Sequence, residues 1–174
     1  MANTYVAISS QVLASTAASV TFSSIPSTYT DLIIKISAKN SDAGSGTDWI
    51  TYTVNGDTGT NYSGTRLYLS GSTITNNRYS TNNQFIDTRI TSAGETLTSS
   101  FGQTEIYIPN YTSTSSRQLI TFGVAESGDT FANINSTASL YRGVSSISSI
   151  TFAVSGSYNF IAGSRFDLYG ITHL

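Results

Sequence analysis

An eight-residue alternation near the N-terminus constrains the fold of this chain more than any other feature. Residues 31–38 read DLIIKISA. One set of alternate positions holds Leu32, Ile34, Ile36 and Ala38, and the other holds Ile33, Lys35 and Ser37. A period of two over eight residues predicts a β-strand with one buried face and one face near water. A helix would instead place Ile33 on the polar stripe opposite Leu32 and Ile36.

The segment before this strand predicts a second strand and a sharp connection. Val20 and Phe22 form a shorter alternating run. Pro26 fixes its own φ and favours extended geometry at Ile25, so the intervening residues form a loop. We therefore expect two strands joined by an ordered corner, with the rest of the chain pairing with this unit or covering its apolar face.

The remaining sequence continues as short strands separated by turns. Segments rich in Gly, Ser and Asn, such as Asn55-Gly56, mark the turns. The predicted strands are residues 5–8 with an extension at 11–14, then 17–22, 32–38, 49–54, 66–69, 85–90, 104–108, 118–125, 138–144, 149–154 and 165–172. Residues 73–83 are polar and predict an irregular excursion. This spacing predicts a single all-β domain over residues 1–174, an antiparallel β-sandwich and more specifically a jelly roll.

Alternation within these strands predicts which side chains share a face. The sets expected on one face are Ile50, Tyr52 and Val54; Ile106 and Ile108; Ile150, Phe152 and Val154; and Phe166, Leu168 and Gly170. In the strand at 118–125, Ile120, Phe122 and Val124 alternate with Leu119, Thr121 and Gly123.

Composition limits the partners that this chain can have. Charged residues make up 10% of the sequence, the net charge is −2, and about a third of the residues are Ser or Thr. Nucleic-acid binding requires clustered Lys or Arg, and the eight basic residues here are scattered. No apolar run approaches the roughly 20 residues of a membrane helix. The sequence also has no Cys and no secretory signal pattern, which favours synthesis in a cytoplasm.

The residues that could support catalysis are few. His173 is the sole histidine, so no Ser–His–Asp triad and no zinc site of His and Cys can form elsewhere. We therefore expect no enzymatic activity, no metal and no other cofactor. Paired carboxylates could still hydrolyse glycosides, and the candidates are Asp42 with Asp48, Asp57 alone, and Glu126 with Asp129. Their Gly-, Ser- and Asn-rich surroundings favour a role in turns instead.

Two carboxylates and one loop have other interpretations. Glu105 and Asp167 fall within strands, where an outward face or a cross-strand partner such as Arg117 or Arg165 would account for them. Residues 55–61, NGDTGTN, carry oxygen ligands at alternate positions but lack the spacing and final Glu of an EF-hand loop. The calcium signal is therefore weak.

Aromatic side chains give the candidate contact residues. Trp49, Tyr62, Tyr79 and Tyr111 could form a flat platform for sugars, or they could pack at a subunit interface or on the rim of the sandwich. The second interpretation is favoured. Together with the N-terminal strand, it gives Tyr5, Tyr62, Tyr79 and Tyr111 as the predicted interface residues.

Two stretches resemble a group of small tailed-phage virion proteins of the marine and cyanobacterial phage type. They are VTFSSIPSTYTDLIIKISAKN at residues 20–40 and GSRFDLYGI at residues 163–171. The recurring patterns in that group are Val-x-Phe-x-x-Ile-Pro-x-x-Tyr-x-Asp-Leu and Phe-x-Leu-Tyr-Gly-Ile. Both ends of the chain match, whereas residues 41–157 match in character alone. The resemblance implies a jelly-roll-like β-sandwich in a virion and carries no catalytic residues with it.

Three functional hypotheses follow from these observations. The first is a capsid decoration, or cement, protein that stabilises the shell as a trimer in contact with the major capsid protein or other virion proteins. The second is a fibre or receptor-binding protein whose Tyr and Trp loops engage host glycan. The third is a glycan hydrolase that uses the loop carboxylates.

Overall fold

Strands make up most of the structure. The computed structural model describes residues 5–44, 46–92, 94, 99–126 and 132–172. These residues form twelve strands and a 3₁₀ turn at Ser155–Ser157. The strands are β1 Tyr5–Val12, β2 Ser19–Phe22, β3 Asp31–Asn40, β4 Thr47–Val54, β5 Tyr62–Ser70, β6 Thr73–Asn82, β7 Phe85–Ser92, β8 Gly102–Ile108, β9 Arg117–Glu126, β10 Ala132–Tyr141, β11 Ile150–Val154 and β12 Arg165–Ile171.

The strands form two antiparallel sheets that pack face to face. The large sheet has the order β1-β12-β3-β8-β9-β10-β5-β6, and the small sheet has the order β2-β11-β4-β7. The last residues of β3 and β7 pair in parallel, Lys39 with Thr91, and join the sheets along one side. The predicted all-β, antiparallel β-sandwich is confirmed. The jelly-roll form is not confirmed, because β8, β9 and β10 are sequential neighbours within one sheet.

Strand β3 lies inside the large sheet between β12 and β8. The side chains of Leu32, Ile34, Ile36 and Ala38 are buried, as the alternation predicts. The opposite face departs from the prediction at Ile33, which is also buried beside its cross-strand neighbours Tyr107 and Tyr169. Lys35 on that face is exposed.

An aromatic cluster fills the core between β3, β4, β11 and β12. Phe152 lies at its centre, with ring centroids of Phe22, Tyr52 and Phe166 at 6.3, 5.4 and 5.8 Å. The faces predicted from alternation are confirmed for the buried side chains of Ile50, Tyr52, Val54, Ile106, Ile108, Ile150, Phe152, Val154, Phe166 and Leu168.

Three predicted segments need correction. Residues 73–83 are not an irregular excursion, because β6 forms there and pairs with β5 through backbone hydrogen bonds, with none of its side chains buried. Strand β5 spans Tyr62–Ser70 rather than residues 66–69. Strand β10 spans Ala132–Tyr141 rather than residues 138–144, because its first inward positions carry amides and a hydroxyl in place of apolar side chains.

Candidate functional site

The polarity of β9 is reversed relative to an ordinary sandwich strand. Its outward side chains include Ile120 and Phe122, which are 53% and 54% exposed. Its inward side chains include Thr121, which is fully buried. In a sheet with one solvated face, the apolar set normally faces the core. Here Ile120, Phe122 and Val124 face out, while Leu119 and Ala125 are the apolar side chains of the strand that are buried.

The strands beside β9 extend this apolar surface. Val124 on β9 pairs with Ile134 on β10, which pairs with Leu69 on β5, which pairs with Ile74 on β6. These four side chains therefore form one row across the outer face of the sheet. We call the whole surface the outer patch: Leu67, Leu69, Ile74, Ile120, Phe122, Val124 and Ile134.

The outer patch is exposed and shallowly concave. Ile74 is 73% exposed, and Leu67 and Ile134 are about half exposed. A depression of about 210 Å³ lies between β5, β6, β9 and β10 and is lined by six patch or neighbouring apolar side chains and Ser136. Contiguous exposed apolar surface of this kind marks sites that bind another molecule.

Charged side chains stand at the border of the outer patch and not within it. Lys35 and Glu105 form an ion pair of 3.3 Å on one side. Arg78 on β6 and Glu126 at the end of β9 are exposed at two other positions. An apolar centre with a polar rim is the usual anatomy of a protein–protein interface.

Beneath the outer patch, the interior of the sandwich is polar and centres on Asp87. Strand β7 contains a bulge: Ile50 pairs with Thr88 and Thr51 pairs with Ile86, so Asp87 has no opposite residue. A bulge re-aims a side chain locally. It accounts for the fully buried carboxylate of Asp87 between the two sheets.

Hydroxyl groups from both sheets surround the Asp87 carboxylate. Tyr79 donates to Oδ1 at 2.5 Å. The donors to Oδ2 are Tyr52 at 2.6 Å, Ser139 at 2.9 Å and Thr121 at 3.3 Å. Burial raises the pKa of Asp87, while the hydrogen bonds from Tyr52 and the other hydroxyls oppose that rise.

The backbone of Asp87 is held as firmly as its side chain. Its carbonyl oxygen accepts hydrogen bonds from Asn135 Nδ2 at 2.9 Å and Thr137 Oγ1 at 2.7 Å. We call Asp87 and its bonded neighbours the polar layer: Asp87, Tyr52, Tyr79, Thr121, Asn135, Thr137 and Ser139. Its members lie on β4, β6, β7, β9 and β10, so this network ties the sheets together where apolar packing is sparse.

A close approach of the sheets completes the polar layer. Gly123 on β9 faces Thr88 on β7, and a Cβ at position 123 would overlap Thr88 Oγ1. The Thr88 hydroxyl lies 3.1 Å from Thr104 Oγ1 and 3.3 Å from Asn135 Oδ1. A glycine is therefore required here for steric reasons and not for its φ angle.

One end of the sandwich holds a stack of two arginines and a tryptophan. The guanidinium carbons of Arg66 and Arg89 lie 4.1 and 4.3 Å from the centroid of the Trp49 ring. Burial lowers the pKa of both arginines. Arg66 donates to the carbonyl of Ile86 at 3.0 Å, and Arg89 donates to the carbonyl of Thr47 at 3.1 Å. Trp49 is half-buried, and its ring contacts these two arginines rather than being presented as a sugar platform.

The four predicted interface tyrosines lie in different environments. Tyr5 is 54% exposed, with its ring edge-to-face against Tyr169 at 6.2 Å. Tyr62 is fully buried and donates to the carbonyl of Asp57 at 2.8 Å. Tyr111 is also fully buried and donates to the carbonyl of Pro26. Tyr79 is half-buried in the polar layer.

These positions correct the predicted contact set. The buried rings of Tyr62 and Tyr111 present no surface to a partner, and the Tyr79 hydroxyl serves Asp87. Their neighbours in sequence are polar, which is typical of loops. Ring contacts of Tyr62 with Phe85 and Tyr141, and the hydrogen bond from Tyr111 to Pro26, hold the two tyrosines inside the protein. The structure does not bring the four tyrosines together.

Two of the predicted loop carboxylates, Asp42 and Asp57, act within turns, whereas Glu126 is the last residue of β9. Asp42 Oδ1 accepts from the Gly44 amide at 2.9 Å. Asp57 accepts from the Gly59 amide and the Asn61 side chain, each at 2.8 Å, so its oxygens organise the loop at residues 55–61. Asp48 belongs to β4 and not to a loop. Asp129 and His173 lie outside the described residues.

The strand carboxylates have basic partners. Asp167 accepts from Arg165 at 2.7 Å, but Arg165 is its neighbour two residues away on β12 and not the cross-strand partner that the sequence predicts. Glu105 pairs with Lys35 on the neighbouring strand β3. Arg117 is not a partner of Glu105. It is buried, and its guanidinium donates to the carbonyl oxygens of Ser113, Gly143 and Ser145.

Comparisons with known proteins give no relative: no family model, curated protein or solved structure matches this chain. Within the described ranges, no group of three or more acidic, His or Cys side chains is placed to hold a metal ion. The same ranges contain no helix with the length and hydropathy that a membrane crossing requires.

The sequence analysis predicts neither the polar layer nor the outer patch. A signal for the patch was present, because residues 118–125 alternate two unequal sets of side chains. That pattern does not say which set faces inward. The direction of Asp87 depends on a bulge, and bulges have no local signature in this stretch.

Proposed function

We propose that this chain is a non-enzymatic structural protein that acts by burying the outer patch against neighbouring protein subunits. The single observation that carries the proposal is the row of exposed apolar side chains over a polar interior. Burying one large aliphatic or aromatic side chain is worth about 1.5–3 kcal/mol. Several half-exposed side chains on one face therefore supply enough free energy to drive association.

The most specific form of this proposal is a phage capsid decoration protein. It is supported by the resemblance of residues 20–40 and 163–171 to small tailed-phage virion proteins. These residues include β3 and β12, which pair along their length in the large sheet. The proposed partners are the major capsid protein or other virion proteins, and the trimer expected from the sequence is one such assembly. The proposed location is the virion, after synthesis in the host cytoplasm.

Chemistry at Asp87 is a poor alternative to a structural role. A general acid or nucleophile must reach a substrate atom within hydrogen-bond distance. The Asp87 side chain is fully buried, and hydroxyl groups of the protein occupy both of its oxygens. This arrangement supports an architectural role for the carboxylate.

Heating virions with and without the protein tests the decoration role. We expect particles that lack the protein to release packaged DNA at a lower temperature. Re-addition of the purified protein should return the release temperature to that of complete particles. A Phe122→Ser protein should bind and restore less well, whereas Val144→Ser, an exposed change outside the outer patch, should behave as wild type. Equal release temperatures with and without the protein would contradict the proposal.

A receptor-binding role is a second candidate, and it is favoured by one observation. Exposed Tyr5 and half-buried Tyr169 form an aromatic pair beside Lys35, whose ammonium lies 5.9 Å from the Tyr5 centroid. Aromatic faces of this kind suit glycan binding. Electron microscopy of labelled virions separates the two roles: density at the tail supports receptor binding, and copies spread over the shell support decoration.

A further inference from the structure

We propose that the outer patch binds a second copy of this chain, in a face-to-face dimer with a two-fold axis in the plane of the contact. The inference rests on the proposed function in one respect, that the outer patch is a contact surface. It adds the partner and the symmetry. It differs from the trimer expected from the sequence.

The first observation is that the outer patch is chemically complementary to the same patch on a second copy. Its side chains are aliphatic or aromatic, and the one polar side chain near its middle is Ser136, which pairs with Leu67. A strongly charged partner would leave its charges unpaired against such a surface. An identical patch meets it with the same chemistry and packs as one sheet on another.

The second observation is the position of two opposite charges. In the register of the large sheet, Arg78 lies opposite Thr65, Thr65 lies opposite Ala138, and Ala138 lies opposite Ile120. Arg78 therefore stands level with Ile120, three strands away from β9. Glu126 stands on β9 itself, six residues beyond Ile120. The two charges occupy diagonally opposite corners of the outer patch.

The size of this diagonal follows from strand geometry. Three interstrand spacings separate the corners by about 14 Å across the sheet, and six residues separate them by about 20 Å along the strands. The midpoint falls between β10 and β5, at the level between the row of Ser136 and Leu67 and the row of Ile134 and Leu69. The midpoint between Arg78 and Glu126 thus lies at the centre of the outer patch.

A two-fold axis through that midpoint relates the charges of two copies. When the axis lies in the contact plane and perpendicular to the diagonal, it exchanges the two corners. Arg78 of each copy then lies over Glu126 of the other, giving two equivalent ion pairs at the rim. An isologous contact of this kind closes on itself and produces a dimer, not a filament.

This arrangement also fixes how the two sheets cross. Exchange about that axis turns the strands of one copy by about 70° relative to the other, which is closer to orthogonal than to aligned sheet packing. The Lys35–Glu105 pair is already neutralised within its own chain. It therefore lies at the border without opposing the contact.

Sedimentation equilibrium of the purified chain tests the proposal, from low micromolar to several hundred micromolar protein. We expect a reversible rise from the 18.5 kDa monomer to twice that mass. Phe122→Asp should remain monomeric, whereas Val144→Asp should dimerise as wild type does. Thermal unfolding of the dilute variants confirms that each one is folded.

Charge reversal tests the symmetry. Arg78→Glu alone and Glu126→Arg alone should each weaken dimerisation about tenfold, because each places like charges at both rim contacts. Mixing the two single variants should restore wild-type affinity, since every contact in the mixed dimer again joins opposite charges. The double variant should dimerise as wild type does. Within one chain these residues are too far apart for such rescue.

Three results would overturn the dimer. They are a monomer at every concentration, a trimer, or mixed variants that associate no better than either one alone. The outcomes are separate from those of the virion test. A chain that stays monomeric but protects virions through Phe122 leaves the proposed function intact and removes the dimer.

Discussion

The two halves of this sandwich use the same alternating strands in opposite ways. Around Phe152, rings and aliphatic side chains of β2, β3, β4, β11 and β12 fill the interior. Around Asp87, the interior holds hydroxyls and amides, and apolar side chains such as Leu67, Phe122 and Ile134 face out. Leu119 and Tyr62 of the same strands still face the core. Alternation therefore predicts a strand, while the residues that pack against the strand decide which of its faces is buried.

The two halves also differ in what they contribute to stability and to association. The apolar half holds the fold together by burial, whereas the polar half holds its sheets together by hydrogen bonds and leaves its apolar surface for association. A satisfied polar network specifies one arrangement of its members because each unmade hydrogen bond is costly. The predictions below test each half in turn.

The largest effect is expected in the apolar half. Phe152→Ala should lower the free energy of unfolding by about 3–5 kcal/mol, because it removes a ring packed among three others. Urea unfolding measures the loss. Phe152→Leu is the matched control and should lose less. A cost for Phe152→Ala as small as that of an exposed substitution would contradict the role of this core.

A steric change in the polar half should rank next. Gly123→Ala places a methyl group against Thr88 Oγ1, and overpacking of this kind costs about 1–3 kcal/mol. Adding Thr88→Ala should recover part of the loss by removing the overlapping hydroxyl. Purely additive losses in the double variant would show that the sheets do not meet closely here.

How far the sequence predicts this structure depends on whether the cause is local. Strands such as β3 and β11 are predictable because their side chains carry a full two-residue period. Strand β6 is not, because its ordering comes from backbone pairing with β5. The inward turn of Asp87 and the burial of Tyr62 depend on contacts between distant segments. The resemblance at residues 20–40 and 163–171 covers strands of the apolar half alone.

The polar layer should respond to loss of one acceptor. Asp87→Asn keeps one carbonyl oxygen but replaces the other oxygen with an NH2 group, and four hydroxyls donate to these two oxygens. At low pH, where Asp87 is protonated, its hydroxyl oxygen can still accept a hydrogen bond, whereas the NH2 group can only donate. We expect a loss of about 1–3 kcal/mol at low pH, measured by urea unfolding. Asp57→Asn, in an exposed turn, is the control and should cost less.

The stabilities of the wild-type protein and of Asp87→Asn should depend differently on pH. The pKa of Asp87 is raised in the folded state above the ordinary value of 3.8, so the folded protein binds the extra proton more tightly than the unfolded chain does. Its contribution is fully present below 3.8 and is lost as the pH rises through the folded pKa. The stability advantage of wild type over Asp87→Asn should therefore shrink with rising pH. An advantage that grows with pH would mean a lowered pKa.

The smallest effect on folding is expected at the outer patch. Phe122→Ser should lower the free energy of unfolding of the dilute monomer by about 1 kcal/mol or less, because 54% of the side chain is already exposed. Chemical denaturation at low concentration measures it. A loss comparable to that of Phe152→Ala would place Phe122 in a core and erase the contrast between the halves.

Carbene footprinting with mass spectrometry tests most directly whether the outer patch is a contact surface. In dilute protein we expect heavy labelling of Phe122, Ile74 and Ile120, and in the assembled state we expect those residues to be protected. Val12 and Val144, exposed outside the patch, should label equally in both states. Patch residues that resist labelling in the dilute monomer, or that stay fully labelled after assembly, would contradict the account.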